Sequence, residues 1–277
     1  MTEGRKEVDL NVHALPAEWA AKKVLGPTLD EVGNDLAKLY RKGVKSLLER
    51  ARSKISNLND KKIANLRVTR DVFWNGAYSN SEAAAEYFSG VLASSRSSDG
   101  KDDSMIYYLD IIKSLSSKQL VLHYAIYRAL NVLLVADSDK KSLNIGLSGN
   151  VEALKLFVYG SEIESLGINM GRDSVALYNK GLIKQYSSKS RQLDGNDFVP
   201  DSREIVEPVK IYQEAFFVPT TLGFQLYAVA CAQADEWHDL ARKTFTPLAD
   251  VGEFENKFLN SDDILSHTQR SLKNYLP

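Results

Sequence analysis

The sequence predicts a mainly α fold with one small antiparallel hairpin in its second half. Apolar residues recur at steps of three and four from Leu29 to Ile55, and residues 118–136, KQLVLHYAIYRALNVLLVA, are apolar nearly all round. Extended, alternating character is concentrated in LIKQYS at 182–187 and VKIYQEAFFVPT at 209–220. Seven prolines and 16 glycines in 277 residues leave room for long helices.

Residues 1–16 are polar and offer little to bury, and Pro16 can open a short helix over AEWAAKKVL. Gly26-Pro27 breaks the chain, and Thr28 with Glu31 has the spacing of a capping box. The following helix would be about 40 Å long, with Asp30, Glu31 and Asp35 at its start and Arg50, Arg52 and Lys54 at its end, as the helix dipole favours. A stripe of that length needs a partner, either the rest of the chain or a second copy. The same helix carries Lys38, Arg41, Lys45 and Arg52 on one side with Lys42 beside them. That pattern suits an anionic partner such as RNA, phosphate or an acidic protein, or simply a solvated face assisted by Glu49.

After a linker, NLNDKK at 57–62, residues 63–72 fit either helix or extended chain, Asn75-Gly76 marks a turn, and Phe73, Trp74 and Tyr78 should enter the core. Asn80 or Ser81 caps a helix whose buried side is Ala84, Tyr87, Phe88, Val91 and Leu92, with Gly90 and alanines permitting close approach of a neighbour. The turn SSRSSDGKDDS at 94–104 joins the two halves. Asp99-Gly100 is a tight-turn signal, and Asp102, Asp103 or Ser104 can cap a helix beginning near Met105. Three aspartates within five residues invite a divalent cation, but their spacing is not that of a calcium loop.

Ser116 or Ser117 opens the apolar helix, which holds His123 with Tyr124 and Tyr127. Beyond it the order is a possible strand LNIGL at 143–147, a helix over about 150–165, a helix over 172–180 ended by Gly181, the strand LIKQYS, a polar loop at 189–208, the returning strand, and a helix capped by Thr220 or Thr221. This order resembles a winged helix from about Leu115 to Cys231, through the steps Gly181-Leu182-Ile183 and Thr221-x-Gly223-x-x-Leu226. A DNA-reading winged helix places a basic helix in the major groove. Here Arg172, Lys180 and Lys184 would make the contacts, opposed by Asp173 and by acids in the long loop. The expected segments are an N-terminal arm at 1–58, a central helical region at 59–114, a winged-helix-like region at 115–233 and a tail at 234–277 with a short amphipathic helix.

The formal charge of −1 exerts no overall pull on nucleic acid or anionic membrane. A single cysteine, Cys231, precludes an internal disulfide or a multi-thiolate metal site, which fits a reducing compartment. The start MTEGRKEVDL has no signal-peptide core, and the longest strongly apolar run, 129–136, falls short of the roughly 20 residues of a membrane span. No phosphate-cradling glycine loop, GxSxG elbow or HExxH helix is present, so no cofactor or catalytic set is expected. His238 and His267 lack companions at metal spacing.

Three blocks, residues 25–55, residues 86–103 with 115–131, and FFVPTTLGFQLYAVA at 216–230, resemble the abortive-infection alpha family of bacterial phage-defence proteins. The resemblance implies a cytoplasmic bacterial protein and carries a role rather than a mechanism. The expected function is non-enzymatic binding of a protein partner, or self-association through the N-terminal helix. The expected surfaces are the basic stripe and the turn residues Arg96, Asp99, Asp102 and Asp103. One alternative is a DNA-binding regulator using Arg172, Lys180 and Lys184. The other is a metal-dependent hydrolase or nuclease centred on Glu86, Arg96, Asp102, Asp103 and His123.

Overall fold

A computed structural model describes residues 29–79, 81–193 and 210–273. The short helix expected near residues 17–25, the Thr28 cap and most of the loop at 189–208 lie outside that range. The fold is dominated by helices, with two small antiparallel sheets.

Helix α1 (Leu29–Lys54) buries Leu47 and Ala51. The ambiguous stretch that follows divides in two. Ile63–Ala64 form strand β1, and Asn65 then caps α2 (Leu66–Gly76), its side chain accepting from the N–H groups of Arg67 and Val68. Asn75 and Gly76 belong to the last turn of that helix and not to a separate turn. Ala77 N–H still reaches Phe73 O, and the Phe88 and Leu47 side chains press against Gly76. The helix buries Val68 and Val72, one turn apart, which leaves Trp74 43% and Tyr78 46% exposed rather than in the core.

Helix α3 (Glu82–Ser94), capped by Ser81, is buried on nearly every side. It packs against α1 and α2 and against the later α9 (Thr221–Ala230), where Gly90 abuts the carbonyls of Val229 and Ala230 so closely that no Cβ would fit. Strand β2 (Arg96–Ser97) pairs with β1, and Gly100 takes φ +67°, the left-handed conformation glycine tolerates. Helix α4 (Ile106–Lys113) starts without a side-chain cap. Asp102 accepts instead from Ser104 N–H at 2.9 Å, and the Asp103 carboxylate is turned to Arg67 at 3.0 Å.

Ser116 and Gln119 form a full capping box on α5 (Ser117–Ala136). This helix is long and apolar enough to cross a membrane by length and composition, and 61% of its apolar window is buried inside the protein. Segment 143–147 is a turn rather than a strand, because the Asn144 side chain accepts from Gly146 N–H at 2.9 Å. The single helix expected over 150–165 is broken into α6 (Ser148–Glu152), strand β3 (Leu156–Tyr159) and α7 (Gly160–Ser165). Leu156, Phe157 and Val158 are consecutive and all buried, a pattern a sheet strand accommodates and an amphipathic helix does not.

Helix α8 (Met170–Asn179) follows, capped by Asn169 and closed by Gly181 at φ +68°. Strands β4 (Ile183–Leu193) and β5 (Lys210–Pro219) pair from Ile183 opposite Pro219 to Leu193 opposite Lys210. Residues 189–193 are therefore strand, not loop. Strand β6 (Lys257–Phe258) joins β3, giving the order β4-β5-β3-β6. The tail is integrated into the body. Leu240, Phe245 and Phe254 are buried, and α10 (Ser261–Lys273) lies against β3. One continuous buried core runs from Leu47 to Phe254.

Candidate interaction surfaces

The turn at 94–104 is held by its own side chains. Arg96 donates to Asp60 at 2.5 Å and to Lys62 O at 3.0 Å, and its side chain is only 14% exposed. Asp99 accepts from Lys101 N–H and from Ser97 Oγ, while Asn65 Nδ2 donates to Gly100 O. The Ser104 N–H holds the Asp102 carboxyl below its ordinary pKa, and the Lys62 N–H does the same for Asp60. These bonds fasten β2 to the chain that precedes α2. Among the described residues, no group of three or more His, Cys, Asp or Glu side chains is placed to hold a metal ion.

The residues of the hydrolase alternative do not converge. Glu86 is 3% exposed and faces α1, where Arg50 and Lys54 both reach its carboxylate, Lys54 at 2.6 Å. Glu82 takes the other side of the Arg50 guanidinium, and Arg50 titrates above its ordinary value because these acids outweigh the cost of burial. His123 is fully buried. Its Nδ1 meets Tyr87 OH at 2.5 Å, its ring lies 4.7 Å from that of Tyr127, and its buried Nε2 has no hydrogen-bond partner among the described residues. Burial lowers its pKa to about 3, so it is neutral at physiological pH. No hydrogen bond or ion pair among the described residues joins any two of Glu86, Arg96, Asp102, Asp103 and His123. Cys231 is buried, and that burial pushes its thiol up to about 12, which keeps it protonated and unreactive.

Helix α1 separates its cations by face. Arg50 and Lys54 turn inward to α3, whereas Lys38, Arg41, Lys42, Lys45 and Arg52 are exposed. Arg41 Nε donates to Ala37 O within the helix, and Lys45 lies 3.8 Å from Glu49. The inward set escapes sequence reading because Arg50, Arg52 and Lys54 look alike at a helix end. Only their angular positions, 100° apart per residue, distinguish them.

Helix α8 and the hairpin present a different surface. Arg172 is bound by its neighbour Asp173 at 3.1 Å, and Lys184 pairs with Glu152. Lys189 and Arg191 reach back to the buried Glu214, Arg191 at 2.8 Å. Lys180 is exposed. On the outer face of α8, Val175 is 41% and Tyr178 52% exposed, with the Tyr178 ring 6.4 Å from that of Tyr186. Sequence reasoning took α8 for its charges and missed these two. The i, i+3 spacing of an apolar and an aromatic residue away from Leu177 would have revealed them.

A cavity of about 440 Å³ opens where α2, α3, the end of α4 and the start of α5 meet, lined by Phe88, Ile112 and Leu120 and by Tyr78, Lys113 and Ser117. The protein is thus a helix-dominated chain with a small four-stranded sheet. Comparison with protein-family models, curated proteins and solved structures returns no match to this chain.

Proposed function

We propose that this chain is a non-enzymatic, cytoplasmic component of bacterial defence against phage that acts by docking a protein partner. We further propose that residues 115–233 form a winged-helix-like module in which α8 is the docking helix. The element order α5, β3, α7, α8, β4, β5 and the strand order β4-β5-β3 support the winged-helix reading. The role in defence rests on the resemblance to the abortive-infection alpha family.

The observation that carries the choice of protein over DNA is the outer face of α8. A DNA-reading helix needs cations free to neutralise phosphate. Here Arg172 and Lys184 have acidic partners, and Lys189 and Arg191 fold onto Glu214. Exposed Val175 and Tyr178 are the residue types that anchor protein interfaces.

Bacteria expressing the chain, challenged with a panel of phages, are expected to resist at least one phage. Val175→Asp with Tyr178→Ala should abolish that resistance without changing the melting temperature. Resistance retained by the double variant overturns the docking site, and no resistance to any phage overturns the role. A salt-dependent duplex shift abolished by charge reversal at Arg172, Lys180 and Lys184 would make the module a DNA reader instead.

A further inference from the structure

The cavity where α2, α3, the end of α4 and the start of α5 meet shares no residue with the outer face of α8. At about 440 Å³ it is no packing gap, since protein interiors leave few voids larger than a water molecule. That volume falls in the ~300–1,000 Å³ range of small-molecule sites. Its apolar lining, Ala84, Phe88, Ile112, Leu115 and Leu120, comes from residues no more than 9% exposed. Its polar lining, Asn75, Tyr78, Ser79, Lys113, Ser116 and Ser117, lies nearer to solvent. The space therefore grades from an apolar interior to a polar mouth. Water against the apolar part finds few partners, so an apolar body gains by displacing it.

We propose that this cavity binds a small uncharged amphiphile. Its aliphatic or aromatic body would lie against Phe88, Ile112 and Leu120, and its hydroxyl or amide head among Asn75 and the serines. Charge at the mouth is already balanced. Lys113 is the one charged residue among the described residues that line the cavity, and its Nζ lies 2.6 Å from Asp110 Oδ1. An anionic head would have to displace Asp110 or enter unpaired, and desolvating an unpaired charge is costly. The neutral groups are only partly used by the fold. Ser79 Oγ accepts from Ser81 N–H, Ser116 Oγ accepts from Gln119 N–H, and Asn75 Nδ2 donates to Asp71 O. Both serine hydroxyls keep a proton to donate, and Asn75 keeps an amide oxygen to accept. Such a mixture of donors and acceptors orients a hydroxyl or an amide, whose own polarity is of both kinds.

The test is titration of the full chain with N-phenyl-1-naphthylamine, a neutral dye that brightens in apolar surroundings. Its fluorescence should rise to saturation, and 1-octanol should displace it about tenfold more effectively than octanoate, which is ionised at about pH 8. Ser117→Trp, at an exposed position in the first turn of α5, should fill the mouth and weaken dye binding about tenfold or more. The melting temperature of that variant should match the parent chain's, and 1-octanol should raise the parent's alone. Lys113→Gln should change dye affinity by less than about twofold, as the charge there serves no neutral ligand. Absence of saturable binding, or dye affinity unchanged by Ser117→Trp, overturns the proposal. Displacement by octanoate as effective as by 1-octanol overturns the uncharged class. Loss of dye binding in Val175→Asp with Tyr178→Ala would move the site to α8, so failure here is distinguishable from failure of the docking helix.

Discussion

Helices α1 and α5 both carry polar side chains among apolar ones, yet they use them in opposite ways. On α5 the polar residues are turned into the protein. Tyr124 OH donates to Glu253 and accepts from Leu248 N–H, Arg128 reaches Glu253 and Phe245 O, and Asn131 bonds Leu240 O, Lys243 O and Phe245 N–H. These bonds sew the tail at 240–254 onto the central helix. On α1 only the inward cations do comparable work, and the outward ones remain at the surface. Burial therefore decides which of these side chains the fold ties down and which it leaves at the surface.

The comparison breaks most readily at Glu86. Glu86→Ala leaves Lys54 without its carboxylate and Arg50 with Glu82 alone, and should cost about 3 kcal/mol in urea unfolding. A loss below about 1 kcal/mol would place α1 on the body by apolar contact alone. Asn131→Ala removes three bonds to the tail and should cost about 2–3 kcal/mol. Amide exchange at 240–248 should accelerate with it, and unchanged protection there would show that apolar packing suffices.

His123 sharpens the contrast through pH. Its pKa falls to about 3 in the fold from an ordinary 6.5, so below about pH 6.5 the unfolded chain takes up a proton that the folded chain refuses. Its contribution is complete above pH 6.5 and is lost as pH falls toward 3, by up to about 1.4 kcal/mol per pH unit. His123→Gln should flatten the fall in stability between pH 6.5 and 5 relative to the parent chain. Equal slopes would refute the buried neutral histidine. The smallest effect is expected on the outer face of α1, where Lys45→Gln should change stability by less than about 0.5 kcal/mol.

Helical spacing made much of this fold legible. The stripe that buries Leu47 and Ala51, the caps at Ser81, Ser116 and Thr220, and the glycine stops at Gly100 and Gly181 are local signals, and each lies where its own chemistry puts it. Local signals failed where a distant partner decided. Leu156–Tyr159 is strand because Ala215–Phe217 lies beside it, and Arg96 is tied down because Asp60 curls back to it. The surfaces were half legible for the same reason. Sequence showed that Lys38, Arg41, Lys45, Arg172 and Lys184 were cations. It could not show that Glu152 holds Lys184, or that Val175 and Tyr178 stand clear of the core.

Strand β6 is only two residues long, yet it hydrogen-bonds Phe157 and Val158 along the flank of β3 that β5 does not cover. Without Lys257 and Phe258, that flank would offer a row of bare amides to any extended chain nearby, the usual starting point for one molecule to recruit the next. A short stretch of the tail thus covers part of that edge, and trimming the chain back to Phe254 should yield material that clumps on concentration while the full chain stays dispersed.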